Sequence, residues 1–519
     1  MSTNEDNLTK FFNLAVKNHR ENKLQEAEKF YNQVLKINSY HFYSVFYLAS
    51  LYAQTQNFTK SKELFKKSIH IQPNQALSHS NLGAVLKELG NFEEAAEACK
   101  KAIAIEPNNV AALGNLALTL IELGQISEAI DCYKKLNSIK SNPVSYYRNL
   151  GHLNIVLDDK KEAINSYEMA IKHEPDDLSN YYYLSSLNNK ILKKQLKKKI
   201  NQIVLKSKNN KNLSYANLLL SKYESNIKNY EKEFNYLLKG HSCFLTSEKK
   251  NYKNDIKYWL NVLPNNKELD KAKIEIKEKN RQSLRPIFIV GVPRCGSTLV
   301  EKIISSGPQK VATGEEIHIL SLFVKKKIIK KEPIFLDDKS FEINLIKKYK
   351  ERRLIQEKSN FIFTDKTLDN FFYIGLIKKI FPNAKVINCK RSPLSSIMSI
   401  LKNNLPAIPW AHSLEDIFNY FDIYNKSISK SEKSYPGFVY SLDYEKLVVD
   451  PEAESKKLMD FCNLPWDKKC LDFYKRKDLI SKTSSNIQVR KEIYTNSQKK
   501  YLPYKKLLNK HVLKYSWYK

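Results

Sequence analysis

Hydrophobic positions recur at helical spacing through the first third of the chain, in a register that repeats every 34 residues. Small residues occupy one position of each repeat: Ala27, Ser61, Ala95, Ala129 and Ala163. A second small position lies twelve residues earlier, at Ala15, Ala49, Gly83, Ala117 and Gly151. Because small side chains are needed where helices approach closely, the pattern predicts five helical hairpins, over 8–41, 42–75, 76–109, 110–143 and 144–177.

Turn and breaker residues support the same division. A turn residue separates the two helices of each unit, at Asn22, Gln56, Gly90, Gly124 and Asp158, and prolines close repeats at Pro73, Pro107, Pro143 and Pro175. Period and pattern resemble the tetratricopeptide repeat, a helix–turn–helix unit. The resemblance implies a superhelical groove that holds an extended peptide or a partner protein. The alternative is that the array of 8–177 only buttresses the next domain or forms a homodimer.

The repeat register fails after residue 177, although the helical pattern continues. Residues 180–187 are expected to form the first helix of a sixth repeat. Residues 190–260 keep a helical pattern but not the 34-residue register. We therefore expect degenerate repeat-like helices in 178–284 that couple the array to the following domain. The polar stretch 265–285 fits either a linker or an exposed helix.

Beyond residue 285 short apolar runs alternate with helical segments. The runs at 286–290, 361–364, 385–389 and 437–442 are typical of buried strands. Such alternation predicts a parallel sheet with helices on both faces, and ligands bind at the carboxyl ends of its strands. The fold class is therefore an all-α superhelix followed by a P-loop-like α/β domain over 285–519.

The first of these strands leads into a glycine loop. Gly291 and Gly296 have the spacing of a nucleotide P-loop, and Ser297-Thr298 begins a helix. Backbone N–H groups at such a helix start bind anions. Ser297 occupies the position where a P-loop carries lysine, and the positive charge comes from Arg294 instead. The loop is therefore expected to bind an anion, but one different from the triphosphate that an ATPase binds.

The composition bears on the partners of the protein and on its cellular compartment. The net charge is +32, but lysine is spread through every segment without an arginine or aromatic stripe, which favours compositional bias over a nucleic-acid partner. Seven scattered cysteines and a start without signal-peptide features predict a cytoplasmic protein without a zinc site. No apolar run approaches about 18 residues, so no transmembrane helix is expected.

Two elements of the second domain resemble the sulfotransferase family. The loop Pro293-Arg-Cys-Gly-Ser-Thr298 is similar to its 5′-phosphosulfate loop, with Cys295 in place of a usual serine. The resemblance implies cosubstrate contacts from Arg294, Cys295, Gly296, Ser297 and Thr298, with Cys295 acting through its backbone N–H. A strand-end Arg391 followed by Ser399 matches the 3′-phosphate site, where a guanidinium and a hydroxyl clamp the phosphate.

Further positions resemble the tyrosylprotein sulfotransferase branch. Gly314-Glu315-Glu316 matches the segment of the catalytic glutamate, with Glu316 the better match and Glu315 the alternative. Lys366 corresponds to a lysine that assists the leaving group, and Ser485 to a serine beside the cosubstrate. Tyr444 matches a tyrosine near the adenosine. Lys500 falls where a basic residue closes the pocket. Ser484 is equally available for the role of Ser485, and Lys499 for the role of Lys500.

The resemblance implies transfer of a sulfuryl group from 3′-phosphoadenosine 5′-phosphosulfate to an acceptor hydroxyl, with protein tyrosine the favoured acceptor among peptide and other hydroxyl compounds. Such chemistry needs a base for the hydroxyl and positive charge around the transferring group, and no metal. Cys295 lacks the Cys/His pattern of a nucleophile. The alternatives are a P-loop nucleotide kinase-like phosphotransferase, disfavoured by the missing lysine, and an inactive repeat-based scaffold.

Overall fold

The computed structural model describes residues 2–139, 143–266, 269, 284–330, 339–355, 361–476, 481, 483, 485, 488–493, 500–515 and 517–518. The chain divides into two compact units, Met1–Leu153 and Asn154–Lys519. A search of the described helices for one long and apolar enough to cross a membrane finds none. The predicted intervals 8–177, 178–284 and 285–519 stay a prediction.

The first unit is built from helices that pack in sequence order, each mainly on the next. They span Ser2–Arg20, Leu24–Ile37, Phe42–Gln54, Phe58–Ile71, Ala76–Glu88, Phe92–Ile105, Val110–Glu122 and Ile126–Ser138, followed by Pro143–Val156, which crosses into the second unit. The small positions lie at the closest helix contacts. Ala27 and Ala95 are fully buried, and a Cβ on Gly83 would lie 2.4 Å from the sulfur of Cys99. The predicted reason for the small residues is therefore confirmed.

The predicted turn residues all reverse the chain in the left-handed region. Their φ angles are 58° at Asn22, 59° at Gln56, 75° at Gly90, 77° at Gly124 and 68° at Asp158. Left-handed backbone at a helix end caps the last carbonyl groups and lets the next helix fold back. The 34-residue register thus specifies the reversals as well as the contacts.

Pro143 corrects one sequence prediction. It was expected to close the fourth repeat, but it is the first residue of the helix Pro143–Val156. Proline suits that position because a first-turn residue has no intrahelical use for an N–H, and its φ is preset for a helix. The spacing from Pro107 is 36 residues rather than 34, so Pro143 lies outside the repeat register.

The second unit begins with further helices, which share one core with the sheet. They span Lys160–His173, Leu178–Leu187, Lys194–Lys206, Asn210–Asn226, Tyr230–Ser247 and Lys249–Lys257, with a π-helical turn at Tyr258–Val262. Tyr182, Leu219 and Leu237 are buried in the same cluster as Phe288 of the first strand. The helical prediction for 180–260 is confirmed. Most of the stretch 265–285 lies outside the described residues.

Within the described residues the sheet has four parallel strands: β1 (Arg285–Gly291), β2 (Ile362–Asp365), β3 (Lys385–Lys390) and β4 (Val439–Asp443), in the order β2-β1-β3-β4. β1 and β2 are buried along almost their whole length, as in a sheet covered on both faces. The helices of this part span Ser297–Ser306, Ile319–Lys330, Lys339–Glu351, Ile374–Ile380, Pro393–Leu401, Leu414–Ser434, Tyr444–Val449, Pro451–Phe461 and Lys505–Val512. The predicted α/β class and all four strands are confirmed.

Candidate functional site

The carboxyl ends of the four strands bring the predicted polar residues to one edge of the sheet. β1 runs into the glycine loop (291–296), β2 is followed by Lys366, β3 by Arg391 and β4 by Tyr444. Because all strands are parallel, their ends face the same crevice, where ligands of such sheets bind.

The glycine loop ends on the helix Ser297–Ser306, which we call the loop helix. Gly296 has a φ of 102° at the residue before it, and Arg294 has a φ of 71°. The loop helix therefore starts abruptly, with its first N–H groups at the crevice. The N–H of Cys295 donates to the carbonyl of Val292 at 3.2 Å. The expected contact of this N–H with the cosubstrate stays a prediction.

The Cys295 thiol lies inside the protein rather than in the crevice. Its side chain is fully buried, and a hydrogen bond from the thiol of Cys389 lowers the pKa of Cys295. The same contact, with burial, raises the pKa of Cys389. A Cβ on Gly291 would lie 2.8 Å from the Cys295 sulfur, so the glycine leaves room for it. Cys295 thus packs the underside of the glycine loop.

The guanidinium of Arg294 connects three segments of the chain. Its Nε donates to the hydroxyl of Ser399 at 3.0 Å and its Nη1 to the hydroxyl of Ser485 at 2.7 Å. Its Nη2 donates to the side-chain oxygen of Gln488 at 2.9 Å. The three predicted residues Arg294, Ser399 and Ser485 therefore lie in direct contact, and Gln488 joins them.

The three hydrogen bonds of the Arg294 guanidinium form what we call the fork, and Arg391 packs beside it. Its Nη1 donates to the backbone carbonyl of Arg294 at 2.8 Å, and its guanidinium lies 4.7 Å from the centre of the Tyr444 ring. The same ring covers Gly296, where a Cβ would approach it to 2.4 Å. These side chains border a cavity whose lining includes Arg294, Gly296, Thr298, Arg391, Tyr444 and Ser485. Glu316 and Lys366 are not among the described residues that line it.

Positive charge accumulates around Arg391. Burial lowers the pKa of Lys500, and repulsion from Lys402 and Arg391 lowers it further. Lys402 is neutralised in part by Glu233, at 2.9 Å. Two cations beside a partly buried lysine favour an anionic ligand at this point.

Lys366 and Glu316 form a second cluster. The Lys366 ammonium is fully buried, 3.6 Å from Glu316 Oε1 and 3.8 Å from Glu301 Oε2, and neither distance is a hydrogen bond. Burial lowers the pKa of Lys366, but the carboxylates of Glu301 and Glu316 outweigh it, so the pKa is raised. Glu316 is 42% exposed, so its carboxylate reaches solvent beside a buried cation.

The turn 314–316 is fixed against β2. Gly314 has no room for a side chain, because a Cβ would lie 2.3 Å from the carbonyl oxygen of Thr364. The N–H of Lys366 donates to the carbonyl of Glu315 at 2.8 Å. Glu315 is held by its backbone, with a φ of 54°, and Glu316 follows it as the exposed member of the pair.

Several described residues of the site have no counterpart among the predicted site residues, and Glu301, Thr483 and Gln488 make polar contacts there. Thr483 lies with its hydroxyl 3.2 Å from that of Thr298. Glu301 had a visible signal, since it is an acidic residue among the apolar Leu299, Val300 and Ile303 of the loop helix. Thr483 and Gln488 had none, because their contacts join distant segments.

Comparison with known proteins divides the chain in the same way. The family model described as "Sulfotransferase family" matches residues 286–468, and tetratricopeptide-repeat models match 46–75 and 86–151. An uncharacterized protein of Aquifex aeolicus is 33% identical over 56% of this chain and 40% of its own length.

Some relatives carry a named activity, among them the following two. Protein-tyrosine sulfotransferase 1 of Danio rerio is 26% identical over 35% of this chain and 54% of its own length. Protein-tyrosine sulfotransferase A of Caenorhabditis elegans is 28% identical over 36% of this chain and 51% of its own length. The chain thus spans about half the length of each of these two relatives. The chain combines tetratricopeptide repeats with a domain of the sulfotransferase family.

Proposed function

We propose that the chain transfers a sulfuryl group from 3′-phosphoadenosine 5′-phosphosulfate to an acceptor hydroxyl. The observation that carries this proposal is the contact of Arg294 with Ser399 and Ser485, beside Arg391 and at the start of the loop helix. Two guanidinium groups, two hydroxyls and a helix N-terminus suit a ligand with phosphate at both ends of a ribose. Tyr444 offers an aromatic face beside them.

The cosubstrate fits the described residues in charge as well. Repulsion among Arg391, Lys402 and Lys500 would be relieved by a 3′-phosphate. The lysine of a nucleotide-triphosphate loop is replaced by Ser297, which argues against a kinase-like reaction. Of the described residues, no group of His, Cys, Asp and Glu is arranged to hold a metal ion.

The second cluster suits the transfer step. Glu316 would accept the proton of the acceptor hydroxyl while the hydroxyl oxygen forms a bond to sulfur. The bond between sulfur and the bridging oxygen of the 5′-phosphate would break, and that phosphate would leave with the electron pair. Lys366 is buried and cationic, without a hydrogen-bond acceptor in reach among the described residues, so it could stabilise the departing charge.

A protein tyrosine is our proposed acceptor. The support is the similarity to proteins named protein-tyrosine sulfotransferases, together with a repeat array of a type that holds peptides. The array would then bind a protein or peptide partner. We place the protein in the cytoplasm, since all seven cysteines are free thiols, as is usual in a reducing compartment.

Calorimetry with 3′-phosphoadenosine 5′-phosphate tests the cosubstrate. The wild type should bind it, prefer it to adenosine monophosphate and bind ATP weakly. Arg391→Ala should lose at least about 10-fold in affinity, because a charge-assisted contact to phosphate contributes about 1.5–3 kcal/mol. Arg20→Ala, on an exposed position of the first helix, is the control. A wild type that ignores the bisphosphate, or prefers ATP, would sink the proposal.

Turnover with sulfur-labelled cosubstrate tests the acceptor and the base. A tyrosine peptide should take up label, while its phenylalanine counterpart, a sugar and a hydroxylated lipid should not. Glu316→Ala should slow turnover by about 10²–10⁴-fold and leave bisphosphate binding nearly unchanged. Glu452→Ala, an exposed glutamate, serves as the control. If affinity collapsed together with rate, Glu316 would be part of the binding site and not the base.

A further inference from the structure

Glu301 is a buried acid that the proposed chemistry leaves without a role. It lies on the loop helix one turn after Ser297, and its side chain has no exposed surface. A carboxylate is costly to bury unless other groups compensate for its lost hydration. Its surroundings must therefore supply donors or positive charge.

The two oxygens of Glu301 serve different neighbours. Oε1 accepts from the hydroxyl of Thr364 at 2.7 Å and from the N–H of Glu315 at 3.1 Å. Oε2 faces the ammonium of Lys366 at 3.8 Å. One side chain thus contacts β2, the turn before Glu316 and the buried lysine. These elements carry both groups of the proposed transfer step.

Glu301 and Lys366 also influence each other's pKa. Burial raises the pKa of Glu301, while Lys366 and the Thr364 hydroxyl oppose that rise. Burial alone would lower the pKa of Lys366, and Glu301 is the largest influence that raises it. Glu316 and Glu315 raise the pKa of Lys366 as well, and Lys302 is a second cation beside the same carboxylates. Glu301 is thus the first of three acids that keep the lysine cationic.

We propose that Glu301 is a positioning residue of the transfer site, an inference that rests on the proposed function. It holds the turn 314–316 and the Lys366 ammonium at a fixed distance from the glycine loop, because all three attach to one helix. It also keeps Lys366 protonated. Glu301 itself has no exposed surface, so it acts through Lys366 and Glu316 and not on the acceptor.

Glu301→Gln separates the charge of Glu301 from its hydrogen bonds. The amide oxygen can still accept from Thr364 and Glu315, but the negative charge beside Lys366 is gone. We expect turnover about 10-fold lower, because the uncharged amide no longer holds the Lys366 ammonium in place, with the KM for the cosubstrate within about two-fold. The alkaline limb of the rate profile should move to lower pH. Glu301→Ala also releases the turn and should lose on the order of 100-fold.

Glu224→Gln is the matched control. Glu224 is also a buried glutamate paired with a lysine, 2.7 Å from Lys197, but it lies on the helix Asn210–Asn226. A purely structural role for Glu301 predicts that both variants lose stability while the rate profile keeps its shape. An unmoved alkaline limb in Glu301→Gln would overturn the inference.

A second measurement needs no turnover. In the wild type the raised pKa of Lys366 contributes stability below its unfolded pKa, and that stability is lost as pH rises through the folded pKa. In Glu301→Gln the largest influence opposing burial is gone, so the pKa of Lys366 should fall below that of the unfolded chain, and the variant should regain stability relative to the wild type as the pH rises towards about 10.5. A stability difference that stays constant would overturn the inference. A wild type that fails to bind the bisphosphate would overturn the proposed function instead.

Discussion

Arg294 Nη1 donates to the hydroxyl of Ser485 at 2.7 Å, which connects the glycine loop to a segment 191 residues further along the chain. The other two nitrogens of the guanidinium reach Ser399 and Gln488. The fork therefore fixes the relative positions of the two proposed phosphate sites. One planar side chain thus connects a loop, a helix and a C-terminal segment that are far apart in sequence.

Arg294→Lys should show that the fork matters more than the charge. Lysine keeps the positive charge but cannot donate in three fixed directions. We expect affinity for 3′-phosphoadenosine 5′-phosphate to fall by about 10-fold or more, measured by calorimetry. Arg20→Lys is the control. An Arg294→Lys variant with wild-type affinity would mean that charge alone suffices.

Gly296→Ala should damage the same site by steric conflict. The added methyl group would lie 2.4 Å from the Tyr444 ring, at a φ of 102° that alanine avoids. We expect bisphosphate binding to be lost. Gly437→Ala is a matched control, because Gly437 also has a positive φ, 74°, but nothing lies within 4 Å of its Cβ position. The control should lose about 1–2 kcal/mol of stability and no affinity. Equal binding losses in both variants would contradict the steric explanation.

The fold was predictable because it rests on local patterns. Small residues at a 34-residue spacing set the helical hairpins, and short apolar runs set the strands, which differ from their predicted bounds by at most two residues. Pro143 was misjudged because proline can begin a helix as well as follow one.

The sequence identified single residues of the candidate site but not the contacts between them. Arg391 and Lys366 directly follow strands and Arg294 lies in the glycine loop, positions that the sequence alone marks. The contacts of Arg294 with Ser399 and Gln488 span 105 and 194 residues, and no local pattern encodes them. Burial of Glu301 against Lys366 depends likewise on how the loop helix packs on β2.

Lys500→Gln should test the cation cluster around Arg391. If Lys500 contributes to a 3′-phosphate site, the variant should lose affinity for 3′-phosphoadenosine 5′-phosphate by several-fold and keep its affinity for adenosine monophosphate. Calorimetry at two salt concentrations should also show a smaller salt dependence for the variant. Lys506→Gln, an exposed lysine of the last helix, is the control. Equal losses for both nucleotides would place Lys500 elsewhere.

Lys366→Met should destabilise the second unit strongly. It would leave the buried carboxylate of Glu301 without its cation, a change that costs about 3–5 kcal/mol in buried pairs. Adding Glu301→Gln to Lys366→Met should restore much of that stability, because no uncompensated charge remains. Urea unfolding of both single variants and the double variant gives the coupling energy. Additive losses would show that the two residues do not interact.

His412 provides a prediction of how stability depends on pH. Its ring is buried against His241, with the two Nδ1 atoms 3.0 Å apart. Burial and the neighbouring ring lower the pKa of His412 to about 3, and burial lowers that of His241. Below about pH 6.5 the unfolded chain binds protons that the folded protein does not. Stability should therefore be complete above pH 6.5 and fall on acidification, by about 1.4 kcal/mol per pH unit for each ring.

His412→Asn isolates this contribution. The variant should be less stable than the wild type at pH 7.5, because the packing of the ring on Phe244 is lost. The difference should shrink as the pH falls towards 4, since asparagine has no proton to bind in the unfolded chain. Urea unfolding across this range gives the measurement, with the exposed His511→Asn as control. A difference that widens on acidification would mean instead that the two rings share a proton in the folded protein.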